Sequence, residues 1–450
     1  MPDGLQTKIH LEAIYRAGLR AVEPYGLVAQ SLKLTGDILQ VTSHGKTAGY
    51  DLKRFDEIVV LGCGKAAAPM AKALEDLLGA RIKRGLVCVK YGHTENLSVV
   101  ELREAGHPVP DANGIAAAVK IIDIAKTVTA KSLVFVLSTG GGSALLPAPA
   151  AGLSLQDEAR MTELLLMSGA DINAVNSVRK HLSQLKGGRL AKLLEGAEVI
   201  NLAISDVGGD DLGTIASGWC APDFSTYKDA VDILKAYGLW DKIPDKAAEY
   251  LQAGLEGRHA ETPDSGDSCF DKVQSFILAG NGDCVGACST KARELGYNSV
   301  VLPRFYTGEA REVGRSLYAL ATDYAKNTPD GEKPLCLLCG GEATVTLPDD
   351  HGTGGRAMEV ALSFLAETLK RDYGGVAFLA AATDGNDGPT DAAGAYVTEE
   401  LLVQAAISGL EPEKSLMRHD SYNFFKQTDN LLITGPTNTN VCDVGIIIIP

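Results

Sequence analysis

Two glycine-rich segments in the first half of the chain carry residue types that could bind a phosphate or a carboxylate. The first, Gly62-Cys63-Gly64-Lys65, follows an apolar run, and the second, Ser138-Thr139-Gly140-Gly141-Gly142-Ser143, follows another. Consecutive glycines allow several backbone amides to point into one concavity, and a helix that begins after such a turn presents unpaired N–H groups to an anion. Lys65 would add a positive charge. The alternatives are a surface lysine and a flexible loop, and the sequence favours binding mainly for the second segment.

The first of these segments also fits the loose G-x-G-x-x-A pattern of dinucleotide-binding turns. That pattern is a weak signal alone, because any tight turn between a strand and a helix favours glycine. In NAD-binding folds an acidic residue at the end of the next strand binds the ribose, whereas here the run 85–89 ends in Lys90-Tyr91. The chain also lacks the G-x-x-x-x-G-K-[ST] motif, so a bound nucleotide would have to be held in another way.

Clusters of aspartate follow two other apolar runs. One contains Asp206, Asp210 and Asp211, and the other spans residues 383–391 and begins with Thr383-Asp384-Gly385. Mg²⁺ is typically bound by one or two carboxylates together with phosphate oxygens, which such clusters could supply. The second cluster resembles half of an EF-hand loop, but it lacks the glutamate at the twelfth position, so we reject Ca²⁺ there. Both clusters could instead form turns and cap helices, and the sequence leaves the two interpretations open.

Basic residues form two further candidate anion sites. Asn176, Arg179 and Lys180 have spacings of three and four within a predicted amphipathic helix, so they share one face, which could also be an ordinary solvated face. Gly354-Gly355-Arg356 opens another predicted helix and repeats the arrangement of glycines before a cation. Either group could therefore bind an acidic substrate.

These segments lie between elements of an α/β fold. Short apolar runs rich in β-branched residues alternate with stretches of helical period, and a glycine-rich turn follows most of the runs. The runs are residues 58–61, 133–137, 199–204, 276–279, 335–338, 376–381 and 431–434. Continuous apolar strands that alternate with amphipathic helices indicate parallel sheets buried on both faces. Ligands bind outside the carboxyl ends of such strands, which is where these glycines occur.

A polar, turn-rich stretch at residues 251–271 divides the chain. Its glycine, proline, aspartate and serine residues predict a boundary between two domains, approximately 1–255 and 256–450. In the second domain, residues 336–347 have the pattern of two strands that meet at Gly340-Gly341, which predicts an added antiparallel pair. The same segment contains a C-x-x-C pair, but no second pair or histidine is spaced for zinc, so these cysteines are predicted to be core thiols.

Composition and charge limit the class of protein. The chain has 450 residues, of which 45% are hydrophobic and 22% charged, as in a folded protein with more than one domain. Its net charge of −15 argues against sequence-independent binding of nucleic acid. No apolar stretch reaches the ~18 residues of a membrane span, and the N-terminus lacks the pattern of a signal peptide. With nine scattered cysteines and no disulfide pattern, the expected compartment is the reducing cytoplasm.

Together, the motifs resemble those of the class II glycerate kinases, the ATP-dependent D-glycerate 2-kinases whose C-terminal half is called the MOFRL domain. The resemblance runs nearly end to end in one order, so it is more specific than any single motif. The segments that carry it are 62–67, 106–111, 138–143, 178–181, 186–189, 205–207, 340–342, 354–356, 383–385, 387–394, 434–437 and 439–440.

The resemblance implies a Rossmann-like N-terminal domain with a parallel sheet, a smaller α/β C-terminal domain of the MOFRL type, and an active site in the cleft between them. It also implies that ATP and Mg²⁺ are used to phosphorylate D-glycerate at the 2-hydroxyl. Some relatives carry the name hydroxypyruvate reductase, so NAD(P)H-dependent reduction is the main alternative, and a non-catalytic small-acid sensor is the second. We expect no nucleic-acid or membrane partner, and the oligomeric state stays open, with a homodimer as one option.

Under this interpretation each candidate residue has a role. Lys65 and Arg356 neutralise charge on the transferred phosphoryl group, and Asp206 orients or deprotonates the attacking hydroxyl. Nucleotide phosphates are expected on Gly62, Gly64, Thr139, Gly140, Gly141, Gly142 and Ser143. Substrate or metal contacts are expected from Asp210, Glu342, Asp384 and Arg179, with Asp210 and Glu342 as the candidate metal ligands. Because Lys65 and Arg356 are expected to be exposed, replacing either should leave stability almost unchanged.

Two segments depart from the family's usual pattern. After Gly354-Gly355-Arg356 the family usually continues Asn-Gln-Glu, whereas this chain has Ala357-Met358-Glu359. Near the end the family usually has Gly-Thr-Asn, and this chain has Asn438-Thr439-Asn440. Both changes concern the substrate side of the expected site and leave Lys65 and Arg356 in place.

Overall fold

The computed structural model describes residues 4–370 and 375–450, which form two compact units. Pro24–Leu278 form the N-terminal unit, and Met1–Glu23 together with Ala279–Pro450 form the C-terminal unit. The boundary predicted from the sequence lies slightly N-terminal to residue 278. The sequence did not predict that the first helix belongs with the C-terminal unit.

The N-terminal unit contains a small antiparallel sheet and a larger sheet. The small sheet consists of β1 (Leu32–Thr35), β2 (Ile38–Ser43) and β3 (Lys46–Asp51). The larger sheet consists of β4 (Glu57–Cys63), β5 (Ile82–Lys90), β6 (Glu101–Ala105), β7 (Ser132–Ser138), β8 (Glu198–Ile204) and β9 (Val273–Ala279). Its order is β6-β5-β4-β7-β8-β9, and the pairs from β6 to β8 are all parallel. Every residue of β7 is buried, as expected of a strand covered on both faces.

The strand order of the larger sheet defines where a ligand is expected. β5 and β6 extend the sheet on one side of β4, whereas β7, β8 and β9 extend it on the other. This is the 3-2-1-4-5-6 order of dinucleotide-binding folds, and it confirms the predicted Rossmann-like domain. Ligands bind where the winding direction reverses, which here is at the carboxyl ends of β4 and β7.

The C-terminal unit is built on a mixed sheet. Its strands are β10 (Asn298–Val301), β11 (Tyr306–Glu309), β12 (Leu335–Thr344), β13 (Ala377–Ala382), β14 (Gly394–Val397), β15 (Leu431–Leu432) and β16 (Asp443–Ile449). The order is β10-β12-β16-β13-β14-β15, and β11 also pairs with β12. β10 and β11 run parallel to β12, whereas the other pairs are antiparallel.

The prediction that two strands meet at Gly340-Gly341 is wrong. β12 is continuous through both glycines and pairs with β16 along its length. The glycines are needed for close approach rather than for a turn. A Cβ at Gly340 would overlap the Asn281 side chain, and one at Gly341 would overlap the Tyr306 ring.

The helices cover the sheets and connect the strands. They are α1 (Gly4–Ala21), α2 (Pro24–Ser31), α3 (Ala67–Leu78), α4 (Ala112–Ala125), α5 (Gly142–Leu145), α6 (Leu155–Met167), α7 (Ile172–His181), α8 (Arg189–Leu193), α9 (Tyr227–Ala236), α10 (Asp245–Leu255), α11 (Asn281–Glu294), α12 (Ala310–Asn327), α13 (Arg356–Leu369), α14 (Glu399–Ser408), α15 (Pro412–Met417) and α16 (Ser421–Gln427). Within the described ranges, none of them combines the length and apolar character that crossing a bilayer requires.

Helix α1 packs against α11 and β16, which explains why it belongs to the C-terminal unit. Its residues Leu11, Ile14 and Tyr15 are fully buried. The Tyr15 hydroxyl donates a hydrogen bond of 2.7 Å to the carbonyl oxygen of Ala382, at the end of β13. The helix therefore supports the strand end that leads into the Thr383-Asp384-Gly385 segment.

All nine cysteines are buried, and none of them forms a disulfide. Cys336 and Cys339 lie within β12 and are almost completely inaccessible. The expectation that this pair consists of core thiols is confirmed.

Candidate functional site

The two glycine-rich segments meet at the carboxyl ends of β4 and β7. The Lys65 amide donates a 3.0 Å hydrogen bond to the Gly140 carbonyl, and the Thr139 amide donates one of 3.2 Å to the Cys63 carbonyl. The Thr139 hydroxyl accepts a hydrogen bond of 3.2 Å from the amide of Ala66, just before α3. The predicted phosphate-binding segments therefore form one continuous turn structure at the expected edge of the sheet.

Glycine is required at two positions in this turn structure. Gly64 has a φ of +123°, and a Cβ there would overlap the hydroxyl of Thr139. At Gly142 a Cβ would lie 2.9 Å from the Cβ of Ala216, closer than real side chains approach. The small size of these residues therefore allows three chain segments to approach one another.

Lys65 is not an ordinary surface lysine. Its relative exposure is 7%, and it lies between the end of β4 and the start of α3. An ammonium group held in this way is costly to bury unless other groups compensate for its charge. Its position beside the glycine turns suits the neutralisation of an anion.

Buried charges lie beneath the second glycine-rich segment. Arg179 on α7 donates a hydrogen bond of 3.3 Å to the Ser143 carbonyl, so it contacts the segment itself rather than solvent. Lys186 and Glu158 form a buried ion pair of 2.5 Å. Burial lowers the pKa of both Arg179 and Lys186, although Glu158 opposes this effect. Arg179 is thus placed to fix the segment that carries the predicted phosphate site.

The Asp206 cluster follows β8, the neighbour of β7. Asp206 is half-buried, whereas Asp210 is exposed and has a φ of +56°. The carboxylate of Asp211 accepts hydrogen bonds from the Gly213 amide at 3.1 Å and the Thr214 hydroxyl at 2.6 Å. Asp211 therefore shapes the loop, as the structural alternative suggested, and Asp206 and Asp210 remain candidates for contact with a ligand.

In the C-terminal unit, Arg356 is the first residue of α13 and pairs with two carboxylates. Its Nε and Nη2 donate to the two oxygens of Asp443 at 2.8 and 3.1 Å, and its Nη1 donates to Glu342. Asp443 begins β16 and is 1% exposed, whereas the Arg356 side chain is 30% exposed. The expectation that Arg356 is an exposed cation without structural importance is therefore not met.

The electrostatics of this group follow from burial. Burial raises the pKa of Asp443 to about 6, although Arg356 opposes the shift. Burial by itself would lower the pKa of Arg356, but Asp443 and Glu342 raise it above its ordinary value. The guanidinium therefore remains charged, and two of its five N–H donors have no partner among the described residues.

Asp387 caps the same helix. Its carboxylate accepts hydrogen bonds from the amides of Ala357 at 3.1 Å and Met358 at 2.7 Å. Burial raises its pKa to about 7, and the charge of Asp443 adds to this shift. Asp387 belongs to the cluster at residues 383–391, for which the sequence left metal binding and helix capping open, and here its carboxylate caps a helix. The sequence predicted no role for Asp443.

The candidate metal ligands are divided between the two units. Asp210 belongs to the N-terminal unit, whereas Glu342 and Asp384 belong to the C-terminal unit, near Asp443. Glu342 is held by Arg356 and by the Cys442 thiol at 3.6 Å, and Asp384 accepts a hydrogen bond from the Asn386 amide. Among residues 4–370 and 375–450, no three or more histidine, cysteine or acidic residues are arranged to hold a metal ion.

The N-terminal unit also contains a cavity of about 750 Å³ that the sequence did not reveal. One wall is the face of α7 with Asn173, Asn176, Ser177 and Lys180. The rest consists of Lys46, residues 211–214, residues 220–225, Asp229, Phe270, Val273 and Ser275. We call it the α7 cavity. The spacing of three and four residues along α7 was the one available signal for it.

Comparisons with known proteins identify relatives over nearly the whole chain. Residues 10–252 match a domain of unknown function, DUF4147, and residues 335–443 match the MOFRL family. A glycerate 2-kinase of Pyrococcus horikoshii is 37% identical over 431 residues, covering 96% of this chain and 94% of that protein. A putative hydroxypyruvate reductase of Agrobacterium vitis is 41% identical over 394 residues, covering 87% and 99%.

A solved structure shares the fold. The crystal structure of a glycerate kinase from Thermotoga maritima has a TM-score of 0.81 and 36% sequence identity, and the match covers 98% of this chain and 99% of that one. The α/β fold with two domains and the resemblance seen in the motifs are both confirmed.

Proposed function

This chain belongs to the glycerate kinase family, and on that premise we propose that it transfers the γ-phosphoryl group of ATP to the 2-hydroxyl of D-glycerate. The phosphotransferase class follows from its family. The phosphoryl donor, the hydroxyl that is modified and the residues that act are parts of the proposal.

The proposal rests mainly on the contact between the two glycine turns beside Lys65. Phosphoryl transfer depends mainly on positioning and on neutralising the charge that develops on the transferred group. Backbone amides of Gly140–Ser143 suit the phosphates, and the Lys65 ammonium suits the γ-phosphoryl. Arg179, which holds the Ser143 carbonyl, keeps this segment in place.

In the C-terminal unit, we assign Arg356 to the same developing charge. The pair with Asp443 orients the guanidinium, and its two remaining N–H donors can contact an anionic oxygen. Asp206, half-buried after β8, is our candidate for orienting or deprotonating the attacking hydroxyl.

Mg²⁺ enters this scheme as part of the MgATP substrate. It then needs only one or two protein carboxylates in addition to phosphate oxygens. Asp210 is exposed at the edge of the sheet where the glycine turns lie, so its carboxylate suits this contact. Glu342 fits less well, because Arg356 and Cys442 already bind its carboxylate.

A coupled assay separates this proposal from its alternatives. With purified protein and MgATP, ADP formation should depend on D-glycerate, and neither NADH nor NADPH should be oxidised with hydroxypyruvate. NADPH oxidation without ADP release would instead support the reductase. Calorimetry that detects glycerate binding, with ATP neither bound nor hydrolysed, would support a sensor.

A further inference from the structure

The α7 cavity lies entirely within the N-terminal unit and adjoins the predicted phosphate site. The side-chain oxygen of Asn176, in the cavity wall, accepts a hydrogen bond of 3.3 Å from the Ser217 hydroxyl. That hydroxyl lies 2.5 Å from the hydroxyl of Ser143 in the glycine-rich segment. Two hydrogen bonds therefore connect the cavity wall with the segment assigned to phosphate.

The segment that makes this connection has an unusual backbone. Ala216 and Ser217 have φ values of +50° and +60°, a conformation that non-glycine residues rarely adopt, and both are buried. Each such residue costs roughly 1–3 kcal/mol, and such strain persists mainly where the surroundings impose it, often near ligand sites. The strained segment fixes the Ser217 hydroxyl between Asn176 and Ser143.

The chemistry of the α7 cavity favours a neutral, flat and polar ligand. Lys180 forms an ion pair of 3.2 Å with Asp223, and both side chains are largely buried, so this lysine is already neutralised. The remaining charged groups of the wall have partners of their own, since Lys46 donates to the Ser275 carbonyl, Asp211 binds Gly213 and Thr214, and Asp229 binds Thr226. The wall also offers amide and hydroxyl groups together with two aromatic rings, Phe270 and Phe224. Phe224 is 82% exposed, which is unusual for a phenylalanine and leaves its ring available for stacking.

The volume is much larger than glycerate alone would fill. About 750 Å³ is within the range of ~300–1,000 Å³ for sites that enclose drug-sized molecules, and glycerate has only three carbon atoms. A nucleoside has the right size, presents a flat base for stacking, and has hydroxyl and ring nitrogen atoms for the amides.

We propose that the α7 cavity binds the adenosine part of ATP and that the phosphates extend from it to Gly140–Ser143, an inference that rests on the proposed use of ATP. The base stacks on Phe224, and the polar groups of Asn173, Asn176 and Ser177 contact the nucleoside. The site thus separates two tasks, since the cavity recognises the nucleoside and the glycine turns bind the phosphates.

The test uses a fluorescent ADP analogue with the full-length protein. Asn173→Trp fills the cavity from an exposed position of α7, and Phe224→Ala removes the proposed stacking partner. Each should weaken binding of the analogue by roughly tenfold or more, as does removal of an aromatic side chain that stacks on a base. Ile407→Ala is the matched control, because Ile407 has the same 82% exposure and belongs to the other unit.

Two competitors identify which part of the nucleotide the cavity binds. Adenosine should displace the analogue from the unaltered protein and compete much less well in Asn173→Trp, whereas tripolyphosphate should bind both proteins equally. The proposal would be overturned if both variants bound the analogue as tightly as the unaltered protein does. It would also be overturned if the affinity for tripolyphosphate fell by the same factor as the affinity for the analogue. D-glycerate-dependent ADP formation is measured in parallel, so that a protein that does not use ATP at all is recognised as a failure of the proposed function instead.

Discussion

The ion pair between Arg356 and Asp443 predicts that Arg356→Ala destabilises the C-terminal unit in a pH-dependent way. The carboxylate of Asp443 is almost fully buried and receives two hydrogen bonds from the guanidinium. Without Arg356 it must either remain charged in an apolar environment or bind a proton. This expectation replaces the sequence-based one, in which Arg356 had no influence on stability.

The magnitude follows from the pKa of Asp443. Folding raises this pKa from 3.8 to about 6, so protonation of Asp443 favours the folded state. This contribution is fully present below about pH 4 and is lost as pH rises through about 6, which lowers the free energy of unfolding by about 3 kcal/mol. Without Arg356 the pKa of Asp443 rises further, and for as long as the carboxyl stays protonated the cost grows by about 1.4 kcal/mol per pH unit, to about 4 kcal/mol at pH 7 and about 6 at pH 8. Arg356→Ala should thus lower the free energy of unfolding by about 1 kcal/mol at pH 7 and by about 3 kcal/mol at pH 8. Proton uptake keeps the value at pH 7 below the 3–5 kcal/mol typical of broken buried pairs and the value at pH 8 at the lower end of that range.

Hydrogen exchange of β16 and α13, followed by mass spectrometry, is the appropriate assay. Both tryptophans, Trp219 and Trp240, lie in the N-terminal unit, so their fluorescence does not report on the C-terminal one. Arg16→Ala is the control, because its ion pair with Glu12 is exposed and lies in the C-terminal unit. Its effect should be small and nearly independent of pH.

The double variant Arg356→Ala/Asp443→Asn completes the test. Removing the carboxyl should abolish most of the pH dependence, and the remainder should come from Asp387, which lies close to the same guanidinium and whose pKa burial raises to about 7. An equal loss of protection at pH 5.5 and pH 8 in Arg356→Ala would refute the linkage argument. Full protection of Arg356→Ala at both pH values would refute it as well.

Three further predictions concern the candidate site. Lys65→Ala should lower kcat by roughly 10²–10⁴-fold, as does the loss of other charge-stabilising donors, and steady-state ADP formation measures this. Gly64→Ala should lower both melting temperature and activity because its Cβ would overlap Thr139, whereas Gly409→Ala, in the left-handed helical conformation but facing open space, should cost only about 1–2 kcal/mol. Since burial raises the pKa of Asp387 from 3.8 to about 7, protection of α13 should fall as pH rises from about 4 to about 7 and level off above that, and Asp387→Asn should flatten this dependence.

The contact between the two glycine turns follows from local signals in the sequence. Each glycine turn directly follows an apolar run, and parallel strands bring their carboxyl ends to one edge of a sheet. The contact between Lys65 and Gly140 therefore follows from the order of strands, although they are 75 positions apart. The residue types alone did not predict that the Lys65 side chain is buried.

The errors arose where distant segments determine the local structure. Gly340-Gly341 looked like a turn, but both glycines lie within β12 because Asn281 and Tyr306 pack closely over them. Asp443 had no local signal, since its partner Arg356 is 87 positions away. The α7 cavity was missed for the same reason, because its walls come from four separate segments.

The most direct test of the account is identification of the product by phosphorus NMR. Purified protein with D-glycerate, ATP and Mg²⁺ should convert ATP to ADP and give one new signal that matches 2-phosphoglycerate. A signal of 3-phosphoglycerate would contradict the assignment of the 2-hydroxyl but preserve the kinase. Absence of any phosphorylated glycerate, with ATP intact after prolonged incubation, would contradict the central claim.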